Sequence, residues 1–437
     1  MLDIRLLRET PDVVKADLEK RERDPAIVDE LLGHDATWRD GLQRVNDLRA
    51  ERNAAAKAIS EAKKSGGDTK AAVAAMQQVA ADIKALEKEV ADAEAARDAI
   101  LRRLPNIMHE SVPVGEDDTK NVLLRDWGGQ PRHDFDAVSH VDLLESLDVA
   151  DLERAARAAG SRFFYLKNDL VLLGRALEFF ALQFLAGKGY SPVEPPYMLR
   201  REAIEGAVDL SDFEDVIYRV EAGAGADQKK GDANELFLIA TSEHPLAALH
   251  MGEILEADQL PLKYAGVSPC FRKEAGAHGK DQKGIFRVHQ FSKVEQFVYC
   301  HPDDSWTLHE ELIANAEALY QALGIPHRVV TICTGDLGTV AAKKYDIEAW
   351  MPVQGAYREV VSCSNCTDYQ ARRYGTRTRK APGEPTQHVH TLNSTAIAVQ
   401  RTLVAILENF QNADGSVTIP EPLRPFVGKE RIEAKSA

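Results

Sequence analysis

The stretch from 267 to 295 constrains this chain more than any other, because it combines charged, aromatic and glycine residues in a strand–loop–strand pattern. An apolar beginning predicts a first strand, with Arg272 and Glu274 on one of its faces. A loop rich in glycine and lysine follows from 275 to 284, and a second strand is predicted from 285 to 299. The alternation of side chains along that strand places five residues on one face: Arg287, His289, Phe291, Lys293 and Glu295.

Each residue type on this predicted hairpin suits one part of a nucleotide. Arginine donates two parallel hydrogen bonds to a phosphate, and Phe291 offers a stacking surface for a base. The basic loop between the strands can close over a polyphosphate. For any single charge a solvated sheet face is the commoner explanation, but here charged and aromatic side chains converge around a glycine-rich loop. The pattern therefore favours a nucleotide site.

The order of residues in this stretch also resembles a known sequence motif. Phe-Arg-x-Glu-Ala-Gly begins at Phe271, and Arg-x-His-Gln-Phe-x-Lys-Val-Glu begins at Arg287. Together they resemble motif 2 of the class II aminoacyl-tRNA synthetases, and the residue order is most similar to that of the seryl family. The resemblance implies an α+β fold, with an antiparallel catalytic sheet of six or seven strands, flanking helices and an N-terminal antiparallel coiled-coil arm.

Composition excludes several classes of protein. The formal net charge of -15 means that any nucleic-acid binding must use local patches. The N-terminus carries acids and has no long apolar core, so we expect no signal peptide, and no membrane-spanning run of about 18 apolar residues is expected either. The five cysteines, an odd number, all lie beyond residue 269 and predict a reduced, cytoplasmic protein.

The N-terminal third is predicted to be a helical hairpin. From 35 to 104, apolar residues recur at alternating steps of three and four, which is typical of a coiled-coil seam. The segment 65–68 interrupts the pattern, and Pro105 ends it. The predicted seam residues are Trp38, Leu42, Val45, Leu48, Arg52, Ala55, Ile59 and Ala62, then Val73, Met76, Val79, Ile83, Leu86, Val90, Ala93, Arg97, Ile100 and Leu104.

Most helical hairpins are packing or dimerisation devices, so the arm alone does not specify a function. It carries 13 Lys and Arg against 12 Asp and Glu, and an arm that is not acidic can approach RNA phosphates with less repulsion. The resemblance implies more, because such an arm grips the variable arm of tRNA(Ser) in the seryl family. We assign tRNA contacts to four residues: Arg52, Lys57, Lys63 and Lys64.

The chain is predicted to divide into an N-terminal tRNA-binding domain (1–110), a linker (111–135) and a catalytic domain (136–437). Within the last of these, a helix is predicted from 140 to 160 and a strand from 163 to 166, closed by a turn at Asn168-Asp169. A strongly apolar helix from 172 to 185 is followed by an extended, proline-rich segment from 190 to 197. Those two elements resemble motif 1, and the resemblance implies a homodimer, although an apolar helix is more often core than interface and the residues alone leave this open.

The segment Ala-Thr-Ser-Glu-His, which begins at Ala240, follows two predicted paired strands, 214–220 and 235–239. Its Thr-x-Glu matches the family's amino-acid contact, where a carboxylate can neutralise a substrate ammonium and a hydroxyl can accept a hydrogen bond. Without the resemblance, Thr241 or Ser242 would be read as a helix cap before Pro245. Both readings are compatible.

Two later segments resemble the remaining family motifs. Glu359-Val-Val-Ser supplies, by resemblance, a glutamate for Mg²⁺-bound ATP phosphate together with backbone and hydroxyl contacts. The segment 391–409 resembles motif 3, with Arg401 on the adenine face opposite Phe291. It departs from many seryl enzymes, which have glycines where this chain has Thr395 and Gln400.

A lone Cys-x-x-Cys at Cys363 and Cys366 does not predict zinc. A structural zinc site needs four ligands, and no second pair lies at a useful spacing. His388 and His390 are the nearest candidates in the sequence. We therefore expect no zinc and two buried free cysteines instead.

The resemblance implies ATP-dependent attachment of L-serine to tRNA(Ser) through a seryl-adenylate, and also serylation of tRNA(Sec) in a host that has one. The implied catalytic residues are Arg272, Glu274 and Arg401. The implied serine contacts are Thr241, Ser242, Glu243, Arg272, Glu295 and Ser394. The implied ATP contacts are Arg272, Lys273, Glu274, Val288, Phe291, Glu359, Val360, Val361, Ser362 and Arg401, and Glu359 is also the implied contact of Mg²⁺.

Two other functions compete with this one. A synthetase-like ligase that loads an amino acid onto a carrier protein keeps the catalytic motifs but lacks the long arm. A non-catalytic adaptor built on a synthetase body would have lost Arg272, Glu274 or Arg401, and all three are present. Both features favour the tRNA ligase.

Overall fold

The computed structural model describes residues 1–208, 215–221, 235–274, 283–381 and 383–434. These residues form two compact units, Met1–Pro105 and Asn106–Ala437. The first unit is helical, and the second is built on an antiparallel sheet with helices. This is the α+β arrangement that the sequence predicts. The loop predicted from 275 to 284 lies mostly outside the described residues, as do Glu214 and the loop between the strands predicted before Ala240.

The first unit is a long antiparallel hairpin that follows two short helices. Its helices are α1 (Ile4–Glu9), α2 (Pro11–Lys20), α3 (Ala26–Lys64) and α4 (Lys70–Leu101). α3 has 39 residues, because it starts at Ala26, nine residues before the segment in which the seam was predicted. Val45 and Ile59 of α3 and Ile83 and Ala93 of α4 are buried between the helices. An ion pair of 2.8 Å joins Arg49 Nη2 to Glu87 Oε1 across the pair.

The seam differs from the prediction at Leu42, and Leu104 lies beyond α4, which ends at Leu101. Leu42 was predicted to lie in it, but its side chain is 38% exposed, whereas Gly41 is buried. A Cβ added at Gly41 would lie 2.7 Å from Val90 Cγ2. The helices therefore approach so closely here that a glycine occupies the seam, and the steps of three and four pass through 41 instead of 42.

A buried carboxylate joins three helices of this unit. Asp35 is fully buried, and its oxygens lie 2.7 Å from Arg8 Nη2, 3.0 Å from Arg39 Nε and 3.7 Å from Arg97 Nη1. Arg97 also lies over the ring of Trp38, 4.4 Å from its centroid. Since a buried carboxylate is stable only when it is paired, Asp35 fixes α1, α3 and α4 together.

The second unit contains most of the described strands and a set of shorter helices. Its strands are β1 (Val122–Trp127), β2 (Ala150–Asp151), β3 (Tyr165–Leu166), β4 (Ser191–Val193), β5 (Met198–Arg200), β6 (Arg219–Val220), β7 (Leu236–Leu238), β8 (Ile254–Glu256), β9 (Leu262–Phe271), β10 (Gln290–Cys300), β11 (His327–Thr331), β12 (Lys343–Met351), β13 (Ala356–Asn365), β14 (Arg377–Arg379), β15 (Gln387–His388), β16 (His390–Ala398), β17 (Val417–Thr418) and β18 (Arg431–Ile432). Its helices are α5 (His140–Ser146), α6 (Leu152–Ala159), α7 (Asn168–Gly187), α8 (Arg201–Glu205), α9 (Glu243–Ala248), α10 (Ser305–Ala322), α11 (Tyr369–Tyr374), α12 (Val399–Asn409) and α13 (Arg424–Val427).

The main sheet has eight strands in the order β1-β11-β12-β13-β16-β10-β9-β4, one or two more than predicted. Every pairing in it is antiparallel except that of β4 with β9. The register of β9 with β10 places Phe291 opposite Cys270 and Glu295 opposite Gly266. Val294 and Leu392 belong to a core that includes Leu312 of α10 and Leu403 of α12. One face of the sheet therefore packs against helices.

The segment predicted to be a linker, 111–135, is part of the second unit instead. It contributes β1, the edge strand of the main sheet, which pairs with β11. Just before it, Asn106 Nδ2 donates to the carbonyl oxygens of Val340 (3.0 Å) and Cys366 (2.9 Å). The composition of the whole segment predicted a linker, although β1 itself reads Val-Leu-Leu-Arg-Asp-Trp.

Three further predictions about local structure need correction. The helix predicted from 140 to 160 is two helices, α5 and α6, separated by β2. Asn168 and Asp169 begin α7 instead of forming a turn. β10 begins at Gln290, five residues later than predicted, and β9 ends at Phe271, so Arg272 and Glu274 lie beyond it.

Helix α7 is long and apolar enough to cross a membrane by length and composition alone, although Arg175 and Glu178 interrupt it, so it holds no unbroken run of about 18 apolar residues. In the structure, Leu170, Leu173, Leu177 and Leu185 of α7 are fully buried. They belong to the same core as the main sheet. These contacts make α7 a helix of this core.

Candidate active site

A cavity of about 450 Å³ lies in the second unit and collects most of the residues that the sequence analysis singled out. Strands β10, β13 and β16 contribute to its wall, together with α9 and the start of α12. The predicted site residues that line it are Thr241, Glu243, Arg272, Glu274, Val288, Phe291, Glu295, Glu359, Val360, Ser362 and Arg401. Segments separated by up to 160 positions along the chain thus meet in one place.

Four predicted ligand contacts are not part of this wall: Ser242, Lys273, Val361 and Ser394. Ser242 Oγ donates to the carbonyl oxygen of Gly266 instead, at 3.3 Å. Val361 is buried in the hydrophobic core, because neighbouring residues of β13 point to opposite faces. Ser394 pairs with Gln296 and Cys363 of the adjacent strands and is also fully buried.

Alternation along β16 presents the neighbours of Ser394 instead. Asn393 and Thr395 both line the cavity, and Thr395 Oγ1 lies 3.4 Å from Glu295 Oε2. Gln400 also lines it, and its Oε1 accepts a hydrogen bond of 2.8 Å from Ser292 N. The sequence analysis assigned none of these three to a ligand, although the period of two was a usable signal for the first two.

His289 was predicted to share a face with Arg287, Phe291, Lys293 and Glu295. Those four line the cavity, but His289 does not. It precedes β10, and its Nδ1 lies 2.9 Å from the carbonyl oxygen of Arg272.

Two carboxylates and one ammonium act on one another in the cavity wall. Glu295 is 1% exposed and forms an ion pair with Lys293, which is 6% exposed. Burial, together with the charge of Glu295, raises the pKa of Glu243 to about 7. Burial also raises the pKa of Glu295, against the opposing influence of Lys293. Lys293 and Arg272 both favour the ionised form of these carboxylates, and a ligand cation between the two carboxylates would be stabilised by their charge.

Cationic groups lie on other parts of the wall. Arg272 Nε donates to the carbonyl oxygen of Ala240 at 3.3 Å, and its guanidinium lies 5.2 Å from the ring centroid of Phe291. Arg287 Nη1 pairs with Glu274 Oε2 at 2.9 Å. A planar guanidinium beside an aromatic ring is suited to a nucleotide, since one group binds phosphate and the other stacks on the base.

Arg401 lies where α12 begins, next to β13. Its Nη1 is 2.9 Å from the carbonyl oxygen of Glu359 and 3.2 Å from Glu359 Oε2. Its guanidinium lies 5.0 Å from the ring centroid of Phe286, a residue that the sequence analysis did not single out. Arg401, Phe286 and Phe291 all line the cavity, so the aromatic and guanidinium surfaces needed around a base are present.

Helix α9 brings a histidine into the wall of the same cavity. Burial, together with the charges of Arg272 and Lys293, lowers the pKa of His244 to about 3. The imidazole is therefore neutral at physiological pH. Its Nδ1 lies 3.5 Å from Ala240 N, so the ring contacts the same peptide segment whose carbonyl accepts from Arg272.

The oxygen atoms of Glu359 and Ser362 fit a magnesium ion that is held mainly by phosphate. Mg²⁺ prefers oxygen ligands and usually takes one or two from a protein when it is bound with a nucleotide. Across 1–208, 215–221, 235–274, 283–381 and 383–434, no group of three or more His, Cys, Asp and Glu side chains could hold a metal ion. The residues present thus suit an ion that arrives with its nucleotide.

The cysteines and histidines considered for zinc have other surroundings. Cys363 and Cys366 are buried free thiols, and burial raises the pKa of both. His388 Nδ1 contacts the carbonyl oxygen of Thr376 at 3.2 Å, and His390 Nδ1 contacts Ser305 Oγ at 2.9 Å. That the protein binds no zinc stays a prediction.

Comparison with known proteins agrees with this geometry. Residues 1–108 match the family model of the seryl-tRNA synthetase N-terminal domain, and residues 218–410 match that of the class II tRNA synthetase core domain (G, H, P, S and T). The chain is similar to the serine–tRNA ligase of Methanocella arvoryzae, with 52% identity over 98% of this chain and 99% of the relative.

Two solved structures are similar over the whole chain. The seryl-tRNA synthetase of Pyrococcus horikoshii, complexed with ATP, has a TM-score of 0.92 and 51% identity and is covered completely, as is this chain. The cytoplasmic serine–tRNA ligase of Naegleria fowleri, in complex with AMP, has a TM-score of 0.86 and 37% identity over 100% of this chain and 99% of its own. This chain belongs to the seryl-tRNA synthetase family of class II aminoacyl-tRNA synthetases.

Proposed function

We propose that this chain attaches L-serine to tRNA(Ser) in two ATP-dependent steps through a seryl-adenylate. One observation carries the proposal: the carboxylates of Glu243 and Glu295 lie in the same cavity as the guanidinium groups of Arg272 and Arg401. A small zwitterionic amino acid and a nucleotide triphosphate require these two charge environments side by side.

The buried end of the cavity is the proposed serine pocket. Glu243 and Glu295 neutralise the ammonium, and Thr241 and Thr395 supply hydroxyl groups that can pair with the substrate. Thr395 takes the place that the sequence analysis gave to Ser394, because its side chain is the one on the cavity wall. The serine carboxylate then points toward Arg272, which keeps it beside the α-phosphate.

The remainder of the cavity is the proposed ATP site. Arg272 and Glu274 contact the phosphate and the base, and the backbone near Val288 holds the nucleotide. Phe291 and Arg401 enclose adenine. Glu359, Val360 and Ser362 lie along the polyphosphate; Glu359 and Ser362 would hold Mg²⁺, whose charge stabilises the leaving pyrophosphate.

The chemistry requires positioning and charge stabilisation more than covalent catalysis. An oxygen of the serine carboxylate attacks the α-phosphorus and pyrophosphate leaves, giving seryl-adenylate. A hydroxyl of the terminal tRNA ribose then attacks the seryl carbonyl, and AMP leaves. Arg272 donates to the α-phosphate, where negative charge develops in the first step, and fixed donors there lower the barrier directly.

The arm is the proposed tRNA contact. Lys57, Lys63 and Lys64 are exposed near the end of α3, and Arg52 is half-buried in the seam, so the first three are the better placed for phosphates. Serylation of tRNA(Sec) would use the same surface in a host that has that tRNA. The expected compartment is the cytoplasm, where translation takes place.

A homodimer is proposed for the elements that resemble motif 1. Helix α7 and the residues around it expose several large apolar side chains: Leu172 (48%), Phe179 (50%), Met198 (47%) and Phe426 (38%). Phe179 and Phe426 meet edge to face, with ring centroids 5.4 Å apart. Apolar side chains clustered in this way are typical of a protein interface.

Amino-acid-dependent ATP–pyrophosphate exchange tests the proposed function. We expect exchange with serine and a kcat/KM roughly 10⁴-fold lower with alanine, because a pocket built to pair with a hydroxyl leaves its buried polar groups unpaired when the hydroxyl is missing. Threonine and cysteine should also be poor substrates. Equal stimulation by alanine and serine would rule out the serine assignment.

Arg272→Ala tests the assignment of the phosphate contact. Exchange should fall by roughly 10²–10³ or more, because one donor to the developing charge is removed. The midpoint of thermal unfolding should change little. Lys273→Ala is the matched control: its side chain is not on the cavity wall, so most of the exchange activity should remain. Near-normal exchange by a folded Arg272→Ala protein would assign the role to another arginine.

Shortening the arm separates tRNA binding from activation. Replacing residues 46–89 with a short Gly-Ser turn keeps the Asp35 cluster and removes the distal part of the hairpin, which packs mainly on itself. Exchange with serine should survive, whereas charging of tRNA(Ser) should fall by at least about tenfold as phosphate contacts are lost.

A milder variant of the arm makes the same test without deleting residues. Neutralising Arg52, Lys57, Lys63 and Lys64 together should weaken tRNA binding and reduce its salt-dependence slope by up to about 3. Neutralising Arg154 and Arg157 of α6 is the control and should leave the slope unchanged. If the protein with the shortened arm charged tRNA(Ser) at the parental rate, the arm would have only a structural role.

Phe179→Glu tests the dimer interface. A charge buried at an apolar interface is costly, so sedimentation should show a dimer for the parent and at least a tenfold weaker association for the variant. Leu249→Glu changes another exposed apolar side chain, 45% exposed and outside these elements, and should leave the dimer intact. A monomeric parent at micromolar concentration would refute the proposed dimer.

A further inference from the structure

A glutamine outside the cavity wall makes the shortest hydrogen bond to Glu243. Gln370, on α11, is fully buried, and its Nε2 donates to Glu243 Oε1 at 2.8 Å. Asn393 Nδ2, on β16, donates to the same oxygen at 3.1 Å. The wall residues around the cavity do not include Gln370, so it reaches this site only through Glu243.

The orientation of this amide is fixed by a second contact. Thr391 Oγ1 donates to Gln370 Oε1 at 2.7 Å. An ionised carboxylate can only accept, so with Glu243 ionised the amide nitrogen faces Glu243 and the amide oxygen faces Thr391. Thr391 is 1% exposed, which means that no solvent competes for this bond. Thr391, Gln370 and Glu243 therefore form a directed chain of hydrogen bonds.

Both donors to Glu243 Oε1 are neutral amides, and this choice of residue type matters for a cation site. A lysine or arginine in the same place would orient the carboxylate equally well but would also cancel its charge. An amide stabilises the ionised carboxylate and leaves its charge for a ligand. Within the described part of the chain, no hydrogen bond reaches Oε2 of Glu243, so that oxygen is available to the cavity.

We propose that Gln370, anchored by Thr391, is a positioning residue that holds Glu243 in the orientation and charge state needed to bind the ammonium group of the amino-acid substrate. The inference rests on the proposed function, since it assumes that Glu243 contacts this group. Gln370 itself touches no substrate. It sets the substrate's affinity through the carboxylate.

Several other groups face Glu243 and contribute to its ionisation, and they stay unchanged in the test. They are Lys293 and Glu295 on β10, Arg272 after β9, Cys366 after β13 and Tyr374 on α11. Loss of the Gln370 donor therefore changes one contribution against a constant background.

Gln370→Met replaces the amide with an apolar side chain of similar length. The KM for serine in ATP–pyrophosphate exchange should rise about ten- to hundredfold, the effect of a lost hydrogen bond to a charged group. The kcat and the KM for ATP should change by less than about twofold. The acid limb of kcat/KM for serine should move to higher pH by about one unit, because the ionised carboxylate has lost a donor.

A second pair of variants avoids any effect of changing Gln370 itself. Thr391→Val removes the hydroxyl but keeps the shape, so the amide loses its anchor and the KM for serine should rise several-fold. Thr391→Ser keeps the hydroxyl and should restore nearly parental values. A structural role alone would not produce this difference or shift the pH profile.

Glu243→Gln distinguishes the proposed role of Glu243 from that of Gln370. If that variant leaves the KM for serine unchanged, the proposed role of Glu243 is wrong. If Glu243→Gln raises it strongly but Gln370→Met changes it by less than twofold, only the inference about Gln370 is wrong. Equal losses in serine KM, ATP KM and kcat for Gln370→Met would also overturn it, because they would indicate general damage to the site.

Discussion

The active site depends on the antiparallel pairing of β9 with β10. That pairing places Phe291 opposite Cys270 and Glu295 opposite Gly266, and it brings Arg272, just beyond β9, beside the ring of Phe291. A shift of one residue in register would turn the charged face of β10 into the helix-packed core. The helices behind the sheet prevent this, since Val294 is fully buried among them.

Separation of charge within a single cavity is the second organising feature. The carboxylates of Glu243 and Glu295 are buried near Lys293, while Arg272, Arg287 and Arg401 lie on other parts of the wall. Burial makes each of these charges costly when it is alone and strongly interacting when it is matched. A substrate pair that brings an ammonium to one region and phosphates to the other adds charge of the opposite sign to each region.

The sequence predicted the hairpin of the arm, the pairing of β9 with β10 and most of the cavity wall. It did so because apolar and charged side chains recur every second residue in a strand and at steps of three and four in a coiled coil. It failed where that signal is absent. Gly41 has no side chain, so the apolar neighbour Leu42 was placed in the seam. β16 is buried along nearly its whole length, so the sequence did not show which of Ser394 and Thr395 faces the cavity. Gln370 lies on a separate helix, and only the fold brings it to Glu243.

The hydrogen bond between Gln400 and Ser292 ties the start of α12 to β10. These two elements carry Arg401 and Phe291, which lie on the cavity that would enclose the base. The Gln400 side chain thereby holds α12 and β10 at a fixed distance on either side of a gap, the space between Arg401 and Phe291. The gap therefore keeps its width before any nucleotide arrives, and ordering it costs little entropy on binding. A protein with glycine at this position lacks this hydrogen bond. Its backbone, or the nucleotide itself, must then set the distance between the two elements.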